Sequence, residues 1–481
     1  MDNSFDAIQF GTDGWRGILG VDFTLERLLM VAKSASYELL LRSQGSNSAK
    51  RIIVGYDRRF MADSFAKSVA EHITGCGFDV FLANTALPTP ACSLAVLKYE
   101  ALGALIITAS HNPPEWLGLK IKGSHGASVR EDFTQAVENR IKAGGKIVSQ
   151  PKKSFIFDGY KEHIFTLKEK FNIKQINQKL HNLGLKIVVD PMYGSAAGCL
   201  ETLFQSETSD LFEEIHSNRD PTFGNASPEP IETNLERIIG KVLHLNTNNI
   251  RSIGIVFDGD GDRIAIIDEL GRYCSTQVII PLLIDFLVRK KSEKGIVLKT
   301  ISGSDIMNLI SIDLGLEIKE LPVGFKYIAS EMLTKKILIG GEESGGIGFG
   351  SHMPERDALY AALVLLDAIS QYENNLASCL DEIQQKYGPS FYDRIDITLT
   401  DLNSREVLEQ LLLKNPPESI EGNKIKEVNT LDGIKLRISD KFWLLFRFSG
   451  TEPLLRIYCE APNTIDLDKT LKWAINYARN I

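Results

Sequence analysis

Three times along the chain a short β-branched run ends in a polar or Gly-rich turn and gives way to an amphipathic helical pattern. The first copy is Ile52-Ile53-Val54-Gly55-Tyr56-Asp57, followed by a predicted helix over 63–74. The second is Ile187-Val188-Val189-Asp190-Pro191-Met192-Tyr193-Gly194, with a helix from about 196. The third is Ile296-Val297-Leu298-Lys299-Thr300, then Gly303 and a helix from about 305. Alternating strand, turn and helix argue for α/β layers whose strands are covered on both faces. The copies are too divergent to prove a repeat, but they predict three similar α/β domains. The last stretch reads differently. Strand-like runs fall at 394–399, 434–438, 443–448 and 455–460, Asp432-Gly433 is a turn signal, and a closing helix is expected over 467–479. Strands followed by a helix predict a smaller α+β domain, with Tyr387-Gly388-Pro389 as the break before it.

A chain of 481 residues is too long for one hydrophobic core. Its apolar fraction of 43% is that of a globular protein. Fifty-four basic residues against 62 acidic leave a net charge of -8, which excludes the basic footprint of a nucleic-acid binder. An anionic ligand would need positive groups gathered locally. The six cysteines form no C-x-x-C pair and no zinc spacing, and read as scattered buried thiols in a reducing compartment. Residues 1–6 are acidic rather than basic-then-apolar, and the most apolar run, 278–288, is too short for a bilayer and carries Asp285. The expectation is a cytoplasmic protein with no membrane contact.

Four segments could carry chemistry. Thr108-Ala109-Ser110-His111-Asn112-Pro113-Pro114 follows an apolar run at a strand end, and its two prolines hold the loop extended. A serine presented there beside His111 is a candidate nucleophile, although the flanking glycines of a hydrolase elbow are missing and a polar turn is the plainer reading. Asp258-Gly259-Asp260-Gly261-Asp262-Arg263 alternates three carboxylates with two glycines. Such charges repel unless a hard divalent cation gathers them. Glu269 falls at the offset of a calcium loop, but Arg263 stands where that loop needs glycine, and the flanks look like strands; magnesium is the better expectation. Gly340-Gly341-Glu342-Glu343-Ser344-Gly345-Gly346 offers acceptors and a hydroxyl suited to sugar, or is an ordinary Gly-rich connection. Arg447-Phe448-Ser449-Gly450-Thr451-Glu452-Pro453 has the guanidinium, hydroxyls and amides of a phosphate cradle, or is a β-turn with a surface arginine.

Together, and in this order, the four segments resemble the α-D-phosphohexomutase family, the phosphoglucomutases, phosphomannomutases and phosphoglucosamine mutases. Two further segments extend the resemblance, Gly11-Thr12-Asp13-Gly14-Trp15-Arg16-Gly17 and Pro322-Val323-Gly324-Phe325-Lys326. It implies an α/β protein of three similar domains with mixed sheets plus a smaller C-terminal α+β domain around a central cleft. The divisions expected are 1–155, 156–272, 273–388 and 389–481. The resemblance makes Ser110 a phosphoserine and Asp258, Asp260 and Asp262 the magnesium ligands, with a phosphoserine oxygen as a further one. Arg16, Lys120 and Arg263 would surround the transferring phosphoryl group. Gly324 and Lys326 would line the substrate loop, and Glu342 and Ser344 would read sugar hydroxyls. Arg447, Ser449, Gly450 and Thr451 would hold the phosphate that stays.

The reaction implied interconverts hexose 1-phosphate and hexose 6-phosphate through phosphoserine and a hexose 1,6-bisphosphate, glucose 1,6-bisphosphate serving as intermediate and activator. Lys120, His111 and Lys326 are the acid-base candidates; some relatives of this kind have histidine where this chain has Phe325-Lys326. Gly-Phe-Lys and Glu-Glu-Ser lean toward glucose over mannose or glucosamine phosphate. His352, a lone histidine after the sugar loop, reads as surface or core before cleft. A hexose-1,6-bisphosphate synthase, which shares the first half-reaction, and a non-catalytic metal-binding or regulatory protein on this scaffold are the rival readings. A monomer or dimer acting on small hexose phosphates is expected.

Overall fold

A computed structural model describes residues 8–43, 50–143, 153–204, 210–372, 374–399, 402–448 and 454–479. Three mixed sheets share one plan. In the first, six strands run in the order Trp15–Ile18, Trp116–Lys122, Gly103–Ile107, Arg51–Tyr56, Asp79–Ala83, Ser154–Phe157. The pairs from Gly103–Ile107 outward to Ser154–Phe157 are parallel, whereas Trp116–Lys122 folds back antiparallel on Gly103–Ile107. In the second sheet, Lys186–Asp190 and Ser252–Phe257 are parallel, and Ile264–Ile267 folds back on Ser252–Phe257. In the third, Ile296–Thr300 and Ile337–Gly341 are parallel, and Ile347–Phe349 folds back on Ile337–Gly341.

In each of these sheets the turn into the strand that folds back is one of the segments singled out above. The serine loop joins Gly103–Ile107 to Trp116–Lys122. The aspartate loop joins Ser252–Phe257 to Ile264–Ile267. The Gly-Glu-Glu-Ser loop joins Ile337–Gly341 to Ile347–Phe349. The strands entering the first two turns are buried along their whole length, which anchors the polar turns they carry. The fourth sheet is antiparallel throughout, in the order Phe391–Thr398, Leu454–Ala461, Phe442–Phe448, Ile434–Ser439, Glu427–Asn429, and is covered by the helix Thr464–Arg479.

The apolar run read at 278–288 is the helix Thr276–Arg289, buried on most sides. It belongs to a single core that joins residues of the second sheet, such as Ile187, Ile253 and Phe257, to Leu338 and Ile339 of the third, with Leu283 of this helix and Leu366 of the helix Ala358–Gln371. The first sheet and the last have cores of their own. Ile301 packs with Trp443, Leu445 and Tyr458 where the last sheet meets the third. Among the described residues no helix is long and apolar enough to cross a membrane. The helix expected from about 196 is only Cys199–Phe204, because Met192, Tyr193 and Gly198 all take left-handed backbone angles and prolong the turn.

Candidate functional site

Ser110 lies at φ 54°, in the left-handed region that a residue with a Cβ seldom occupies, and its side chain is buried. Two residues at the end of the neighbouring strand hold it there. Arg59, fully buried, donates to the carbonyls of Ser110 at 2.7 Å, Asn112 at 2.6 Å, Pro113 at 2.8 Å and Trp116 at 3.1 Å. Asp57 accepts from the Thr108 hydroxyl at 2.6 Å, and that hydroxyl oxygen in turn accepts from the Ser110 amide at 2.8 Å. The Asp57 carboxylate also pairs with Arg59 at 3.3 Å. Burial pushes Asp57 up to about 6, against the pull of Arg59.

So fixed, the Ser110 hydroxyl donates to Asp258 Oδ2 at 3.1 Å. The two loops can approach this closely because position 259 is glycine. A Cβ there would lie 2.6 Å from the Ser110 carbonyl oxygen. The other oxygen of Asp258 accepts the amides of Asp262 at 2.9 Å and Arg263 at 3.1 Å, which curls the loop upon itself. Asp258, Asp260 and Asp262 are all buried, and each offers a carboxylate oxygen within 4.8 Å of the others.

Four carboxylates and several cations meet here. Lys120 Nζ lies 2.9 Å from Asp13, 2.8 Å from Asp260 and 2.6 Å from Asp262. Burial alone would lower its pKa, but these three partners outweigh burial and raise it, so the ammonium stays charged. Burial, reinforced by Asp260 and Asp262, holds Asp258 well above the usual carboxylate range. For Asp262 burial acts upward too, yet Arg356 and Lys120 overcome it and hold that group low. His111 Nδ1 is 3.4 Å from the Ser110 hydroxyl. Burial and the fields of Arg263, Arg16, Lys120 and Arg356 drive it well below 6.5, so the imidazole is neutral at pH 7.

The donor set fits a hard divalent cation. Oδ2 of Asp260 and Oδ2 of Asp262 are taken by Lys120, with Thr89 adding a 2.5 Å bond to Asp260. Oδ1 of each is buried and, among the described residues, has no hydrogen-bond partner. Orphaned carboxylate oxygens are costly unless something positive occupies the space between them. All-oxygen ligation at this spacing suits magnesium.

The remaining expected residues fall as follows. Arg16 donates to Asn112 Oδ1 at 2.5 Å, on the serine loop. Arg263 lies 3.8 Å from Glu229, with a buried Nε that has no partner among the described residues. Glu342 is buried against Arg356 at 3.1 Å, and burial raises its carboxyl to about 7 despite that arginine. Ser344 is half-buried on the same turn. Gly324 takes φ 127° ahead of the helix Phe325–Met332, and Lys326 lines a small cavity with Gly11, Thr12, Asp13 and Gly14, its Nζ 3.6 Å from Glu131. Arg447 pairs with Asp432 at 2.9 Å, and Asp432 also accepts the Val323 amide, tying the last sheet to the Gly324 loop. Ser449, Gly450 and Thr451 lie outside the described residues. His352 stacks on Tyr360 and bonds Asp357 at 2.9 Å, which is the core reading rather than the cleft.

Sequence reasoning missed Arg356, Arg59, Thr89 and any role for Asp13. A signal existed for two of them. Asp57-Arg58-Arg59 stands at the carboxyl end of a parallel strand, where α/β sheets gather ligands. Glu355-Arg356-Asp357 abuts the apolar helix Ala358–Gln371, a place where charges are buried and therefore paired.

The chain matches four family descriptions in succession: "Phosphoglucomutase/phosphomannomutase, alpha/beta/alpha domain I" over residues 7–147, domain II over 158–271, domain III over 276–387, and the C-terminal domain over 399–472. It is 27% identical to a phosphoglucomutase/phosphomannomutase of Thermococcus kodakarensis, covering 94% of each chain. With a phosphoglucosamine mutase of Methanococcus maripaludis the identity is 29%, over 90% of this chain and 92% of the other. A crystal structure of a phosphomannomutase, so described as putative, from Thermus thermophilus superposes with a TM-score of 0.83 at 29% identity, over 98% of this chain and 99% of that one.

Proposed function

From the premise that this chain belongs to the phosphoglucomutase/phosphomannomutase family and is a hexose-phosphate mutase, we propose that it works through phosphoserine 110 and a hexose 1,6-bisphosphate, with glucose phosphate as the preferred substrate. The observation that carries this is the 3.1 Å contact between the Ser110 hydroxyl and Asp258, beside two buried carboxylate oxygens without partners. The four units are read as 1–155, 156–272, 273–388 and 389–481.

In this reading the free hydroxyl oxygen of a hexose phosphate attacks the phosphorus of phosphoserine 110. The bond from phosphorus to the serine oxygen breaks, and the product is the bisphosphate. After that intermediate turns over in the cleft, the Ser110 oxygen attacks its other phosphate and the isomeric monophosphate leaves. Asp258, Asp260 and Asp262 would hold Mg2+, which supplies positive charge against the phosphoryl oxygens. Lys120, held charged by three carboxylates, stabilises the charge spread over the transferring group and is a poor proton carrier. The proton of the attacking sugar hydroxyl passes to the departing Ser110 oxygen through neutral His111, 3.4 Å from that oxygen, and returns by the same route when Ser110 attacks. Arg16 and Arg263 complete the positive surround. Arg447, with Ser449, Gly450 and Thr451, would hold the phosphate not in transfer, while Glu342 and Ser344 read sugar hydroxyls near Gly324 and Lys326.

Gly324-Phe325-Lys326 and Glu342-Glu343-Ser344 support glucose. The several relatives named phosphoglucosamine mutase support glucosamine phosphate as the second reading. A panel of glucose, mannose and glucosamine phosphates with Mg2+ decides between them by kcat/KM. Mass analysis of the Ser110 peptide should show one added phosphate after incubation with glucose 1,6-bisphosphate, and none in Ser110→Ala. A Ser110→Ala chain that keeps full mutase activity would refute the phosphoserine.

A further inference from the structure

Glu355, Arg356 and Asp357 are three consecutive buried charges, and each reaches out of its own sheet. Glu355 accepts from Lys122 at 2.6 Å and from the Ser128 hydroxyl at 2.7 Å, both in the first α/β unit. Asp357 caps the helix Ala358–Gln371 through the amides of Leu359 and Tyr360, and its other oxygen meets His163 at 2.8 Å. Arg356, between them, touches four segments of the site, those of Asp13, Asp262, Phe325 and Glu342. Its Nη2 donates to Asp13 at 2.6 Å and to Asp262 at 2.8 Å; its Nη1 donates to Glu342 at 3.1 Å; its guanidinium lies 5.5 Å over the ring of Phe325.

Arg356 and Lys120 saturate the same oxygen of Asp262, Oδ2, which leaves only Oδ1 to face a cation. The opposite arm of the same planar group fixes Glu342. A guanidinium is rigid, so a shift at one arm must tilt the other. Building on the reading that the aspartate trio holds a divalent cation and Glu342 reads the sugar, we propose that Arg356 is a positioning residue that couples the two: one guanidinium sets the presentation of Asp262 to the cation and of Glu342 to the hexose, so loading of either site biases the other. Such coupling is reciprocal by thermodynamic necessity.

The test is a double-mutant cycle on Mn2+ binding, followed by the magnetic resonance signal of free Mn2+ on the full chain without sugar. Glu342→Gln does not touch the aspartates, yet it should change the Mn2+ dissociation constant by about 5-fold, the lower end of typical coupling. In an Arg356→Lys background the same substitution should leave that constant unchanged, because a compact ammonium cannot bridge both carboxylates. Arg356→Met gives the same cycle without the charge; if leaving buried Glu342 without its arginine unfolds it, the Lys variant carries the measurement alone. A purely structural role predicts lower stability but no cycle term. Equal shifts in both backgrounds, or none with Arg356 intact, overturn the coupling while leaving the cation site standing. A wild-type chain that binds no Mn2+ overturns the cation site, and this inference with it.

Discussion

Ser110 stays in a backbone angle that costs of order 1 kcal/mol or more because Arg59 spans four carbonyls of its loop. Removing that guanidinium strands those carbonyls and leaves Asp57 without its ion partner. Arg59→Met is therefore expected to destabilise the fold by about 3–5 kcal/mol and to lower kcat with it, measured by thermal unfolding and assay together. Gly259→Ala tests contact without removing any charge. The added Cβ would stand 2.6 Å from the Ser110 oxygen and 2.9 Å from Pro228, so the serine and aspartate loops must part. A displacement near 1 Å costs roughly 100-fold in rate; kcat should fall by about that much, with Mn2+ affinity reduced and the circular dichroism spectrum unchanged.

At the scale of elements, the three polar turns fill the same slot in three sheets, between the last parallel strand and a strand that folds back on it. The polar segments at 108–114, 258–263 and 340–346 were legible as turns because apolar runs flank them. Their equivalence was not, since the three turns share no common residue pattern. One short element carries a pH prediction. Glu214 accepts the Gly198 amide with both oxygens at 3.0 Å, just ahead of the helix Cys199–Phe204, and burial raises its pKa to about 7. Between about 4.5 and 7 the folded state then holds a proton that the unfolded chain has lost, so this group's contribution to stability falls as pH rises through that window and its cost is complete above 7. Glu214→Gln keeps an acceptor without the charge. At pH 8 it should be more stable than wild type by up to about 2 kcal/mol, a figure discounted for the partial exposure of the site. That advantage should vanish below pH 4.5 in paired thermal melts.

Across the whole molecule, the core does not divide where the α/β units do. Residues around the helix Thr276–Arg289 join the second and third sheets in one apolar cluster, while the first and last keep separate cores. Calorimetry should therefore resolve the second and third units as one cooperative transition, and limited proteolysis should release the first or last unit before cutting between 272 and 276. Adding Mg2+ should raise the transition that contains the aspartate loop, by about 2.7 kcal/mol at 100 times its dissociation constant, and a chelator should reverse it.

The sequence alone settled what local patterning can settle. β-Branched and apolar runs marked the strands, prolines and glycines marked the turns, and the order of polar turns carried the family resemblance. Three-dimensional packing decided which charges became partners. Lys120 and Asp262 are 142 residues apart in the chain, Arg356 and Asp13 343 apart, and no periodicity links them. A buried ion pair is specified by where two strands end in space and by the absence of water between them. That is why Ser110 and the aspartates could be named as candidates from the chain, but the guanidinium that joins the aspartate loop to the Gly-Glu-Glu-Ser loop became visible only in the fold.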